Sequence, residues 1–410
     1  MQFSQVIGQQ DLKSQLTQMI QQNRLSHALL FLGKEGTGAL PLALAFAQYV
    51  TCEKNPLQKV KKQAAPIAEI SLFGDEPAVE DTAAQNPADF IDACGTCSAC
   101  KKAAQMVHPD IHYTYPVIPK KSGDKPVSTD YIVDWREFVL KTSYGNVFDW
   151  LQHINAENKQ GNITAEECNE IIHKMSLKSF ESSFKILIIW MPEALGKNGN
   201  KLLKLIEEPP PDTLFLLVAE NDELILPTIL SRTQLVKVPL LTSTEIATAL
   251  QQAENVDNTK ALQIASISQG NYHEALQHLQ NADDDWETML REWLNAIVKN
   301  MPAAQVKWIE DAAKLGREKQ KQFLKYFTHI LEQSIRLAAS ANQNVIDPAN
   351  VDFAVRFNKL CSISQQEAIT TELDKAAYYI ERNANAKILF HALTIRLFHI
   401  ISNKSLILVQ

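Results

Sequence analysis

Hydrophobic and polar positions follow two regimes along this chain. Up to about residue 240, short apolar runs alternate with segments of helical spacing. His27–Leu32 (HALLFL), Asp110–Val117 (DIHYTYPV), Lys185–Trp190 (KILIIW), Thr213–Ala219 (TLFLLVA) and Gln234–Val238 read as strands. Most are apolar without alternation, the pattern of strands covered on both faces. Gln9–Gln22 carries Leu12, Leu16, Met19 and Ile20 at helical spacing. Residues 39–52 (ALPLALAFAQYVTC) are rich in helix formers, and Pro41 is tolerable because first-turn amides have no helical acceptor. Ile163–Met175 reads as a helix, with Thr164 and Glu167 at capping-box spacing. Asn200–Glu208 (NKLLKLIEE) reads as a helix stopped by Pro209, Pro210 and Pro211.

Strands alternating with helices predict an α/β fold with a parallel sheet. After about residue 240 the strand pattern ends. The expected organisation is an α/β domain over 1–242, a small helical domain over 243–283, and an all-α domain over 284–410. Residues 53–93 mix Lys, Ala, Pro, Glu, Asp and Gln with few large apolar residues and read as a flexible insertion. Residues 118–130 read as a loop.

Composition narrows the class. The chain has 410 residues, 45% hydrophobic and 21% charged, which fits two or three domains with real cores and excludes wholesale disorder. The formal net charge is -7, and duplex binding through phosphates alone needs a basic excess. Any DNA contact is therefore expected to be local or shared with partners. No apolar run reaches the roughly 18 to 20 residues of a membrane span. No cationic start followed by an apolar stretch marks a signal peptide. A cytoplasmic location with no membrane partner is expected, and there the six cysteines are expected to be thiols or metal ligands.

The strand HALLFL runs into a glycine loop, Gly33-Lys34-Glu35-Gly36-Thr37-Gly38, and then a helix. A working phosphate loop reads G-x-x-x-x-G-K-[ST], where Lys reaches the β/γ oxygens and the hydroxyl holds Mg²⁺. Gly33, Gly36 and Gly38 fit such a loop, but Ala39 stands at the lysine and Leu40 at the hydroxyl. KILIIW ends in Trp190 where a magnesium-binding acid is needed. A vestigial loop is expected, with ATP binding weak or absent and no hydrolysis by this chain alone. From the glycines by themselves, a simple strand-to-helix turn is an equal reading.

Cys94-x2-Cys97-x2-Cys100 places three thiols within seven residues, and Cys52 ends the helix after the glycine loop. Four thiolates suit tetrahedral Zn²⁺ in a structural role, since no coordination position stays open. An iron–sulfur run would carry a further Cys followed by Pro, whereas Lys101 and Lys102 follow here. His108 is read as shaping the start of the next strand. Cys168 and Cys361 are read as core residues on helix faces. No nucleophilic triad stands out.

RLSHALLFLGKEGTG, HPDIHYTYP, NKLLKLIEEPPPDTLFLL and LPTILSRTQLV, in that order, resemble bacterial clamp-loader subunits of the AAA+ class, in particular the DNA polymerase III delta-prime type. The resemblance is dense over about 1–50, 94–117 and 163–240 and only architectural after 284. It implies an ATPase-inactive stator in a hetero-pentameric ring with motor and delta-like subunits. Such a ring loads the sliding clamp onto primed DNA within a nucleotidyltransferase complex. It also implies a zinc module over about 52–105 and an oligomerisation collar at the C-terminal end. The family's Ser-Arg-Cys motif matches Ser231-Arg232-Thr233, which makes Arg232, beside Ser231, an arginine finger acting in trans. A lid arginine that senses nucleotide in the family is replaced by His273, read as an ordinary, partly exposed histidine. Asn221 falls near a further polar sensor position. Two other functions compete. An active motor ATPase of the loader is opposed by Ala39 and Trp190, and a stand-alone zinc-containing DNA-binding protein by the acidic balance.

Overall fold

The computed structural model describes residues 1–55, 58, 92–121, 123–156, 159–254, 256–280, 286–339, 351–382 and 384–402. Most of the insertion expected at 53–93 lies outside the described residues. The chain divides into two compact units, Met1–Gln277 and His278–Gln410. Among the described residues no helix is long and apolar enough to cross a membrane.

The first unit is built on five parallel strands, β1 (Ala28–Leu32), β2 (Ile111–Thr114), β3 (Lys185–Trp190), β4 (Thr213–Ala219) and β5 (Gln234–Lys237). Their spatial order is β2-β3-β4-β1-β5. Side chains alternate across a strand, so an unbroken apolar run feeds two cores. Leu29, Phe31, Ile186, Ile188, Trp190, Leu214, Leu216 and Val218 pack on one face. Ala28, Leu30, Leu187, Ile189, Phe215, Leu217 and Ala219 pack on the other. Helix α1 (Gln10–Gln21) precedes β1, and between Gly38 and Cys52 helix α2 (Ala39–Thr51) is buried along its whole length, which explains its nearly all-apolar sequence. Pro41 sits in its first turn, as expected.

Local departures from the expected elements have tertiary causes. The strand expected at 110–117 is ordered as strand only to Thr114; Val117 instead makes an isolated antiparallel bridge with Asn162. Thr164 does cap the helix Ala165–Ser176 by accepting from the Glu167 amide. Glu167 does not return the bond. Its carboxylate accepts from Thr114 Oγ1 at 2.7 Å and Ser128 N at 2.6 Å. The helix expected at 200–208 is a 3-10 segment to Leu202 followed by the short helix Leu203–Glu207. Two helices, Ile132–Lys141 and Val147–His153, lie in a stretch to which the sequence reading assigned nothing. They carry Trp135, Phe138 and Trp150, which cluster with Trp190 and Tyr115.

Ser243–Glu254, Asn258–Ile267 and Tyr272–Gln280 form the small helical segment. Every regular element described in the second unit is a helix, from Trp286–Val298 to Ala386–Ser402. Trp293 and Trp308 stack at 4.3 Å in its core, and the Trp293 indole donates to Thr394 Oγ1 at 3.0 Å. Cys361 is buried here but lies between helices Val351–Leu360 and Ile363–Glu381, not on a helix face.

Candidate functional site

The glycine loop joins the end of β1 to α2, where a parallel sheet presents its ligand crevice. Gly33 N donates to Ala219 O at 3.0 Å, tying the loop to β4. Gly36 and Gly38 have φ of +71° and +90°, conformations that a side chain resists. The turn from strand to helix therefore depends on these glycines. Loop residues together with Ala39, Leu40, Tyr144 and Trp190 line a cavity of about 30 Å³.

Trp190 leaves β3 into the aromatic cluster, 5.0 Å from the Trp135 ring, and is 3% exposed. An indole at this point offers no lone pair with which to coordinate a metal ion. Glu193, just beyond it, accepts from Glu220 N at 2.7 Å and Asn221 N at 2.9 Å. Burial raises its pKa above the usual carboxylate value. Asn221 turns its Oδ1 to the Glu223 amide at 3.0 Å.

His273 is buried, not partly exposed as its sequence context suggested. Its Nε2 lies 3.1 Å from Asp149 Oδ2 and 3.9 Å from Glu35 Oε1. The reason is tertiary: the helices that carry Asp149 and His273 converge on the loop.

Ser231 and Arg232 follow the short helix Pro227–Leu230 and are not among the residues lining the loop cavity. Arg232 Nε donates to Glu207 Oε1 at 2.5 Å, and its Nη2 pairs with the same carboxylate. Its Nη1 donates to Thr228 O at 2.8 Å and Ser231 Oγ at 3.2 Å. The side chain remains 33% exposed. Sequence reading did not single out Glu207, although it stands in the quoted LIEEPPP segment.

The four cysteines converge. Cys52 caps α2, and the turn from Cys94 through Gly95 to the helix Ser98–Ala104 brings the other three beneath it. The four Sγ atoms all lie within 4.8 Å of one another, with Cys94 and Cys100 3.9 Å apart. A tetrahedron of thiolates at about 2.3 Å from Zn²⁺ sets its sulfurs about 3.8 Å apart, so the donor set fits that ion. Amide donors already face the sulfurs, Cys97 N to Cys94 Sγ and Cys100 N to Cys97 Sγ, each at 3.4 Å. The Cys100 thiol hydrogen-bonds to Cys52 and draws its pKa well down, while that bond and burial hold Cys100 up. His108 stays outside this set; its Nδ1 accepts from Asp110 N at 3.2 Å, at the entry to β2.

The sequence profile of the family described as DNA polymerase III, delta subunit, matches residues 8–73 and 78–242, more than half of the chain. The chain belongs to this family. The match takes in the glycine loop, all four cysteines of the cluster, Trp190 and Arg232, and stops before His273. The DNA polymerase III subunit delta' of Haemophilus influenzae is 26% identical over 270 residues, covering 65% of this chain and 59% of that protein. Subunit delta' of Bacillus subtilis is 26% identical over 216 residues, covering 52% and 43%. Subunit tau of Bacillus subtilis is 24% identical over 286 residues, covering 68% and 37%. This family member therefore spans less than half the length of both Bacillus relatives.

Proposed function

We propose that this family member is an ATPase-inactive stator of the DNA polymerase III clamp loader. In this reading it joins AAA+ motor and delta-like subunits in a hetero-pentameric ring that loads the sliding clamp onto primed DNA. It lends Arg232 in trans to a neighbour's ATP site. The observation that carries the reading is a division of chemistry. Ala39, Leu40 and Trp190 stand where nucleotide chemistry needs a lysine, a hydroxyl and an acid, while a half-exposed arginine is retained outside that cavity. A guanidinium is charged at every working pH and its planar fork matches phosphate oxygens, so it needs no local tuning. An arginine finger is worth about 10³ to 10⁵ in rate at the site it serves.

Zinc bound by Cys52, Cys94, Cys97 and Cys100 is part of the same proposal. It supplies a cross-link between the end of α2 and the 94–104 turn. With all four positions filled by protein, it takes no part in a reaction.

The test is steady-state ATP hydrolysis by a reconstituted loader with clamp and primed DNA. Arg232→Ala is expected to leave folding and ring assembly intact, because a partly exposed ion pair such as Arg232–Glu207 adds little stability. It is expected to slow hydrolysis partially, since other motor sites have other donors. An unchanged rate at saturating ATP, with assembly verified, would make Arg232 a structural residue only. Turnover by the purified chain alone would favour the motor reading instead.

A further inference from the structure

The lid turn and the glycine loop are bonded to each other directly. Tyr272 N donates to Gly36 O at 3.1 Å. The Asn271 carboxamide lies so close over Gly36 that a Cβ there would sit 1.7 Å from Asn271 Oδ1. Glu35, inside the loop, is the polar centre of this contact. Its Oε1 accepts from Asn146 Nδ2 at 3.2 Å and from Asn271 Nδ2 at 3.5 Å, with His273 Nε2 at 3.9 Å. Asp149 completes the group through His273 at 3.1 Å. Tyr144 packs edge-on against Tyr272 at 5.0 Å and covers Gly38 from the same side.

We propose that Glu35 is an internal anion that keeps nucleotide out of this loop, its carboxylate latching the lid turn 271–273 onto residues 35–36. The loss of the lysine and hydroxyl explains why a bound triphosphate would not react. It does not explain why the lid rests on the loop. A carboxylate at this point does so twice over. It accepts from the lid's Asn271 carboxamide and stands 3.9 Å from the lid histidine, whose Nε2 is held by Asp149 and Gln277, and it repels any second anion brought to the loop amides. Glu35 is thus a specificity-determining residue whose role is exclusion. The inference rests on the reading of residues 33–38 as a vestigial phosphate loop.

The experiment uses the purified full chain, with zinc content and circular dichroism as controls for folding. Fluorescence anisotropy with a fluorescent ATP analogue and Mg²⁺ is measured for four forms. These are wild type, Glu35→Ala, the pair Ala39→Lys with Leu40→Thr, and all three changes together. Hydrogen exchange at the Tyr272 amide is followed in wild type and Glu35→Ala. Glu35→Ala is expected to speed that exchange by about tenfold, since a charged acceptor is lost from the latch. The restored pair is expected to stay non-binding while the triple variant binds. Equal binding by the pair and the triple variant would overturn the latch and leave the vestigial-loop reading standing. Unchanged exchange at Tyr272 would overturn it as well. A folded triple variant that still binds nothing would remove the vestigial-loop reading itself, and the latch with it.

Discussion

Single side chains decide the chemistry at two places in this molecule. At the cysteine cluster, the amide-bonded sulfurs of Cys94 and Cys97, together with those of Cys100 and of Cys52 at the cap of α2, are held at separations that match a zinc tetrahedron. The purified protein is expected to carry about one zinc per chain, and Cys97→Ser to release it and lower the melting temperature, because structural zinc supplies folding energy. Protein that is metal-free as isolated and indifferent to a chelator would reject the site. At β2, burial and then the Lys174 charge lower the His112 pKa to about 4. The unfolded chain takes up this proton near the ordinary histidine value of about 6.5. Between those values the unfolded state holds more protons, so stability falls as pH drops from about 6.5 towards 4. The slope is at most about 1.4 kcal/mol per pH unit for one proton. Urea midpoints at pH 7 and pH 5 will show this. His112→Gln is expected to flatten the difference, and an equal pH dependence in that variant would refute the assignment.

Elements acquire their positions through groups that several of them share. The helices Ile132–Lys141 and Val147–His153 are anchored by Trp135, Phe138 and Trp150 around Tyr115 and Trp190. Tyr115 stacks on Trp135 at 4.1 Å, and the Trp150 indole donates to Pro116 O at 2.7 Å. Trp135→Ala is expected to cost about 3 to 5 kcal/mol in chemical denaturation, the range for emptying a large aromatic site. The Trp135 indole N–H has no hydrogen-bond partner among the described residues. Trp135→Phe is therefore expected to cost much less, because removing an unsatisfied donor offsets part of the lost packing. Equal losses for the two variants would mean that this cluster is held by shape alone.

At the scale of the whole molecule, the described helices of His278–Gln410 have a core of their own, built on Trp293, Trp308, Phe323, Phe327 and Phe390. We expect a chain cut after about residue 283 to stay folded, with its zinc, and yet fail to enter the clamp-loader ring in gel filtration. Normal assembly by the shortened chain would show that the C-terminal helices are not the collar. The acidic balance belongs to this scale too, since a net charge of -7 argues against duplex binding through phosphates by this chain alone.

Much of this architecture was legible in the residues taken in order. Continuous apolar runs in β1, β3 and β4 announce strands buried on both faces, because side chains alternate and each face must be covered. Three consecutive prolines end a helix because proline lacks the amide that would continue it. Cys52 and the 94–100 triplet announce a tetrahedral donor set. Those signals are local in period or spacing. What the tertiary structure alone decided are pairings between distant segments. Glu35 meets Asn271 across 236 residues, and His273 is buried because Asp149 and Glu35 meet it there. Glu167 has the spacing of a capping box, yet its carboxylate serves Thr114 and Ser128 instead. In each case the choice of partner is set by which polar groups packing has already removed from water, and a buried carboxylate or imidazole must bond to whatever is within reach.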